Sequence, residues 1–177
     1  MAGKTYKRIT VRDNTFHNVK KRCIEFLNYE DSVAEDNTMV NVGMGVEVSA
    51  VNLKNTHKTK GYNGGPGTSA NRNIRVTGNY INLSKTSSIG GYAWICSGFN
   101  VLGYNMKRNG GVIPKGIYSI KGIIVEDNRV TGYGNGIRMT LSDSGTLNNN
   151  RIKVKNTSAF SNLGISAEDS RGTAIRK

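Results

Sequence analysis

Apolar residues along this chain recur in two nested rhythms. The short rhythm has a period of two: Ile9/Val11, Ile74/Val76 and Ile137/Met139 each flank a polar or charged neighbour, the pattern of a strand with one buried face. The long rhythm repeats at about 22–23 residues. Laid over the segment from Ile24 to Asn41, the segment from Ile137 to Val154 matches without a gap. Ile24 falls on Ile137, Phe26 on Met139, Ala34 on Leu147, Asn37 on Asn150 and Met39 on Ile152. A third segment, from Tyr92 to Asn105, is expected to join them with Trp94 at the Met139 position and Leu102 at the Leu147 position. A fourth begins at Gly164-Ile165. Anchored on asparagine, the series runs Asn14, Asn37, Asn79, Asn105, Asn128, Asn150, in steps of 23, 42, 26, 23 and 22, with Asn55 inside the long step. Phe16, Met39, Ile81, Val130 and Ile152 each follow an anchor by two residues. A period of two inside this longer period predicts three short strands per repeat, joined by turns, and no amphipathic stretch of helix length interrupts it.

The physical solution is a coil of three strands stacked on the next at about 4.8 Å, giving three parallel sheets around one narrow core. Alternate side chains point inward and stack on their equivalents. The asparagine is expected at the tight corner between two strands, accepting a left-handed backbone there while its amide bonds the asparagines above and below. The acids that precede the corner, Glu35-Asp36, Glu126-Asp127 and Glu168-Asp169, read as turn chemistry. A β-sandwich explains the strands, but it requires hairpin turns and no fixed asparagine register.

The corners VRDNTF, AEDNTMV, VTGNYI, VEDNRV and LNNNRI, with the strands GIRM and GIS, resemble the right-handed parallel β-helix of the pectate-lyase-like superfamily and the β-helix domains of phage tail spikes. The resemblance covers nearly the whole chain, residues 1–177. It implies an all-β, single-stranded, right-handed parallel β-helix of about six to seven coils with an asparagine ladder, in one domain. That domain is expected to be part of a longer protein, or of an oligomer such as a homotrimer, in which partners or neighbouring domains cover the open coil ends.

By the same resemblance, the sheet containing GIRM lines a polysaccharide groove, and its outward residues are Glu25, Glu47, Ala93, Arg138 and Ser166. Lyase chemistry would need a cation to neutralise a uronate carboxylate and a base beside it. Glu25 and Glu47 would hold a Ca²⁺, and Arg138 or Lys115 would be the base. No other cofactor and no resident metal is expected. Solvated outer-face charge is the competing reading of these residues. The polygalacturonase motifs are missing, and Arg151-Ile152-Lys153 matches that family's RIK by chance, since Ile152 reads as an inward strand residue. His17 and His57 stand alone in sequence and read as surface residues.

Composition then sharpens the question of partners. Of 177 residues, 22 are asparagine, and 25 Lys+Arg against 12 Asp+Glu give a formal charge of +13. So basic a chain suggests an anionic partner. Arg129 and Arg151 share one outward position with Tyr80 in register, and Thr131 and Lys153 follow in the same strands. Together they predict a basic stripe with an aromatic. By the resemblance, loops near the groove of the GIRM sheet would add Lys20, Lys21, Arg22, Lys115 and, as glycan-binding candidates, Lys107 and Arg108 in the irregular stretch 107–116. Nucleic acid is disfavoured because no recognised motif for it is present.

No run has the roughly 18 apolar residues of a membrane span. The opening MAGKTYKR has no apolar stretch behind it, so no secretory signal is expected in the sequence as given. Cys23 and Cys96 read as small core residues. The expected setting is extracellular, at a cell surface or on a phage virion. The expected function is polysaccharide engagement, lyase-like or depolymerase-like, on an acidic or cell-surface glycan. Its rival is a structural or adhesive shaft without catalysis.

Overall fold

The computed structural model describes residues 6–27, 29–49, 71–85, 97–102, 120–140, 142–155, 164–168, 170 and 172–176. These residues form strands and no helix, in three sheets. Sheet A holds β1 (Tyr6–Lys7), β2 (Thr10–Arg12), β5 (Tyr29–Glu35), β8 (Asn71–Thr77), β11 (Ile120–Lys121), β12 (Ile124–Glu126), β15 (Ser142–Asp143), β16 (Thr146–Asn148) and β19 (Ala174–Arg176). Sheet B holds β3 (Thr15–His17), β6 (Thr38–Val42), β9 (Tyr80–Leu83), β13 (Arg129–Tyr133) and β17 (Arg151–Lys155). Sheet C holds β4 (Arg22–Leu27), β7 (Met44–Ser49), β10 (Ser97–Leu102), β14 (Asn135–Thr140) and β18 (Ile165–Glu168). The chain visits A, B and C in that order five times and returns to A with β19. Every strand pairing among the described residues is parallel. This is compatible with a parallel β-helix and excludes the hairpin-built sandwich.

Register turns the sequence repeat into columns of stacked side chains. Val11, Ala34, Val76, Val125, Leu147 and Ile175 form one column in sheet A. Phe16, Met39, Ile81, Val130 and Ile152 form another in sheet B. Ile24, Val46, Phe99, Ile137 and Ile165 form a third in sheet C. Residues of all three sheets join one apolar cluster. Burial is complete in the middle circuits, as at Ile81 and Val130, and falls off at the last, where Ile175 is 55% exposed.

The asparagine ladder is Asn14, Asn37, Asn79, Asn128 and Asn150. Each backbone N–H and each side-chain amide of the first four donates to the next residue's Oδ1, at 2.9–3.2 Å. Asn37 thus bonds Asn79 directly, and Asn79 bonds Asn128. No rung is left for Asn55 or Asn105, both of which lie outside the described residues. The expected six to seven coils therefore become five circuits and one strand of a sixth among the described residues.

The left-handed corner is one residue earlier than expected. Positive φ belongs to Asp13, Asp36, Gly78, Asp127 and Asn149, each just before a ladder asparagine, and not to the ladder residues themselves. Asp, Asn and Gly tolerate that backbone best, which explains the recurrent acid there and confirms turn chemistry for Asp36 and Asp127. Asp169 is outside the described residues. A second left-handed column, Arg8, Asp31, Asn73, Gly122, Ser144 and Gly172, runs through sheet A. There Asn73 Nδ2 donates to Asp31 Oδ1 at 2.9 Å.

The third segment registers differently from the expectation. Phe99 aligns with Ile137 and Val101 with Met139, so neither Trp94 at the Met139 position nor Leu102 at the Leu147 position holds. Leu102 faces Thr140 in the register, and Trp94 lies outside the described residues. The cause is a glycine column missed in the sequence. Gly45, Gly98, Gly136 and Gly164 align, each immediately before an inward apolar residue. A Cβ on Gly98 would sit 2.7 Å from both methyls of Val130 and 2.9 Å from the Gly136 carbonyl. Sheets B and C approach too closely there for a side chain. Cys23 takes this position in the first circuit, half-buried against the core, and burial pushes its thiol up to about 12. Cys96 is outside the described residues.

Candidate functional site

Sheet C carries the expected outward column Glu25, Glu47, Arg138 and Ser166, with one correction. Asn100, not Ala93, stands between Glu47 and Arg138. Ala93 and Lys115 are outside the described residues. Glu25 and Glu47 meet the same cation. Arg22 Nε lies 3.0 Å from Glu47 Oε2 and 3.7 Å from Glu25 Oε1. The hydrogen bond to Glu47 is the largest influence raising the Arg22 pKa; burial opposes it, and the charges of Glu47 and Glu25 add to it. Ser49 Oγ donates to Glu25 at 3.3 Å. Glu47 is 3% exposed, and β7 is buried along its whole length, so Glu47 is not a solvated outer-face charge. Arg22 stays partly exposed, but its removal would leave Glu47 charged and buried, which holds Glu47 to this partner. Arg22 belongs to β4 and not to a loop. Arg138 shares the column but stands one strand beyond Asn100, so the register does not place it beside the two carboxylates. Among the described residues no group of three or more His, Cys, Asp or Glu is placed to hold a metal ion.

Charge is sorted by sheet. In sheet A three cations meet acids, Lys7 with Glu30 at 2.7 Å, Arg12 with Glu35 at 3.3 Å, and Arg75 with Glu126 at 2.5 Å, while Arg72, Lys121 and Arg176 have no ion pair among the described residues. The five strands of sheet B contain no Asp or Glu, yet β13 and β17 carry Arg129, Arg151, Lys153 and Lys155. The local cause is the period of two. In RIKVK, Ile152 and Val154 pack against the core, which turns Arg151, Lys153 and Lys155 to solvent. In RVTGY, Val130 is fully buried and Arg129 is exposed beside it.

Tyr80, Arg129 and Arg151 are register partners, as are Asn82, Thr131 and Lys153. The sequence therefore placed the stripe correctly. The Arg129 guanidinium lies 5.7 Å from the Tyr80 ring centroid, a contact worth about 0.5–1 kcal/mol at an exposed site. Asn82 Nδ2 donates to Thr131 Oγ1 at 3.1 Å, and that oxygen lies 3.5 Å from the Tyr80 hydroxyl. These ties hold the polar side chains in place before any ligand arrives. Sequence reasoning missed the far end of this face, where Lys85 and Lys155 flank Tyr133. The signal was legible, since the alternation that exposes Arg151 and Lys153 continues to Lys155. Lys107 and Arg108 are outside the described residues, as is His57; His17 is exposed at the end of β3.

No helix among the described residues is long and apolar enough to cross a membrane. No protein family, no curated protein and no solved structure matches the chain.

Proposed function

We propose that this chain is a polysaccharide-engaging domain, a right-handed parallel β-helix similar to the pectate-lyase-like superfamily, that binds an acidic glycan on the outer face of sheet B. One observation carries the reading: Arg129, Arg151, Lys153 and Lys155 share a sheet whose described strands hold no carboxylate, while the strands of sheet A set Glu30, Asp31, Glu35, Glu126 and Asp143 among their cations. Cations with no ion-pair partner among the described residues, on a stiff surface beside Tyr80, Thr131 and Asn82, offer a glycan both charge complements and hydroxyl and ring partners. Binding is better supported than cleavage, because Glu25 and Glu47 are already engaged by Arg22 and are not left to hold Ca²⁺. A secreted or virion-borne setting suits such a domain, alone or within a larger assembly.

Affinity electrophoresis through a polyuronate and through a neutral glucan tests this. Retardation is expected in the polyuronate gel alone. It should fade between about 0.1 M and 1 M salt, as the screening length falls from about 10 Å to about 3 Å. It should persist in EDTA, without release of unsaturated or reducing ends. Equal mobility in both gels at low salt would sink the reading.

A further inference from the structure

Strand β13 has a cation–aromatic cluster at each end. At its start, Arg129 lies over Tyr80, with Arg151 next to it in register. At its end, the ammonium groups of Lys85 and Lys155 each lie 5.9 Å from the centroid of one ring, that of Tyr133. Lys85 reaches the ring from the turn after β9, and Lys155 from the end of β17. The two lysines come to the ring from either side of β13, and the described strands of sheet B supply no carboxylate to either ammonium. An anionic group at the edge of this ring would complement either ammonium. Arg129 and Tyr133 are four residues apart, so the clusters are separated by at most about 13 Å along the strand. Thr131 and Asn82, joined by their hydrogen bond, lie between them with Lys153 alongside.

We propose that the two clusters are subsites of a single site, whose ligand is an acidic oligosaccharide long enough to place one anionic group in each. A uronic acid monomer, or any single small anion, then fills one subsite only. This inference rests on the acidic-glycan reading above and specifies the ligand's length and charge spacing. Linking two weak contacts through one ligand makes the second contact intramolecular, which raises affinity on the order of 10²-fold once the span is reached.

Calorimetric titration of the full chain with a size series of oligouronates, monomer to octamer, tests it. Affinity should be weak and nearly constant for the shortest members, and then step up on the order of 10²-fold at the length that bridges both clusters. The double variant Lys85→Gln/Lys155→Gln should abolish the step, so that every length binds only at the weak level of the one remaining subsite. Both lysines are exposed, so its melting temperature should match the wild type. A smooth rise with length, or a step that survives in the variant, would overturn the two-subsite inference and leave acidic-glycan binding standing. Failure of every length to bind the wild type at low salt would overturn the underlying reading, and this inference with it.

Discussion

Replacing Asn79 with alanine is expected to cost about 3–5 kcal/mol, lowering the melting temperature by roughly 10 °C in a chain of this size. The Asn79 side chain is fully buried and works in three directions. Its Oδ1 accepts from the backbone N–H and the side-chain amide of Asn37, both at 3.0 Å. Its Nδ2 donates to the carbonyls of Ala34 and Thr77 and to Asn128 Oδ1, at 2.9–3.0 Å. Alanine removes all of these while the backbone groups stay buried, and each unsatisfied group costs about 1–3 kcal/mol. Asn14, at the exposed end of the ladder, is the control. Its amide reaches Asn37 Oδ1 and the Arg12 carbonyl where water can replace it, so Asn14→Ala should cost about 1 kcal/mol or less. Thermal denaturation followed by circular dichroism checks both. Equal losses at the two positions would show that the ladder is not a buried, stacked network.

The second large effect concerns the glycine column. Gly98→Ala should destabilise by about 2–3 kcal/mol, because the new methyl overpacks against Val130 and the neighbouring strand's carbonyl, and neither can move without shifting a sheet. Gly136→Ala should behave alike, meeting Ile152 Cγ2 at 2.5 Å and the Gly164 carbonyl. Gly164→Ala is the internal control. Nothing lies within 4 Å of a Cβ there, so its effect should stay within about 0.5 kcal/mol. Urea denaturation of the three variants decides the matter, and comparable losses at Gly98 and Gly164 would contradict the close approach of sheets B and C.

Those glycines also show where the sequence was readable and where it was not. Alignment on large apolar residues found the gapless match of Ile24–Asn41 with Ile137–Val154, and the register confirms its columns. The same habit drew Trp94 into the third repeat, because a large apolar side chain outweighs a glycine in such an alignment. Gly98-Phe99 repeats Gly45-Val46 and Gly136-Ile137, and would have set the register correctly. Asn105 misled for a related reason. Asn79 and Asn128 are 49 residues apart, close to two steps of the period, which invited a rung between two asparagines that bond each other directly. The corner was misplaced by one residue because asparagine suits both jobs, the left-handed backbone and the ladder bond. Only the aspartates preceding it, which take the left-handed backbone and hold no place in the asparagine ladder itself, separate them.

The candidate site was partly legible. Periodicity alone placed Tyr80, Arg129 and Arg151 in one column. It could not show that Arg22 would bind Glu25 and Glu47, since that pairing depends on β4 and β7 lying side by side with Glu47 enclosed. Nor could a net charge of +13 reveal that one sheet carries cations and no acid in its described strands. Sorting emerges only when strands 22 residues apart become neighbours, as Arg129 and Arg151 do.

Whether placement or total charge governs binding is open to one direct measurement. Arg129→Gln/Arg151→Gln and Arg12→Gln/Arg75→Gln remove the same two charges, the first pair from sheet B and the second from the ion-paired face of sheet A. Exposed ion pairs contribute at most about 1 kcal/mol each, so both variants should fold. Polyuronate affinity of the two, measured side by side at low salt, should fall at least about tenfold for the sheet B variant, a loss of about 1.4 kcal/mol, and stay within about twofold of wild type for the sheet A variant. Equal losses in both would contradict a binding face on sheet B and leave net charge as the sole attraction.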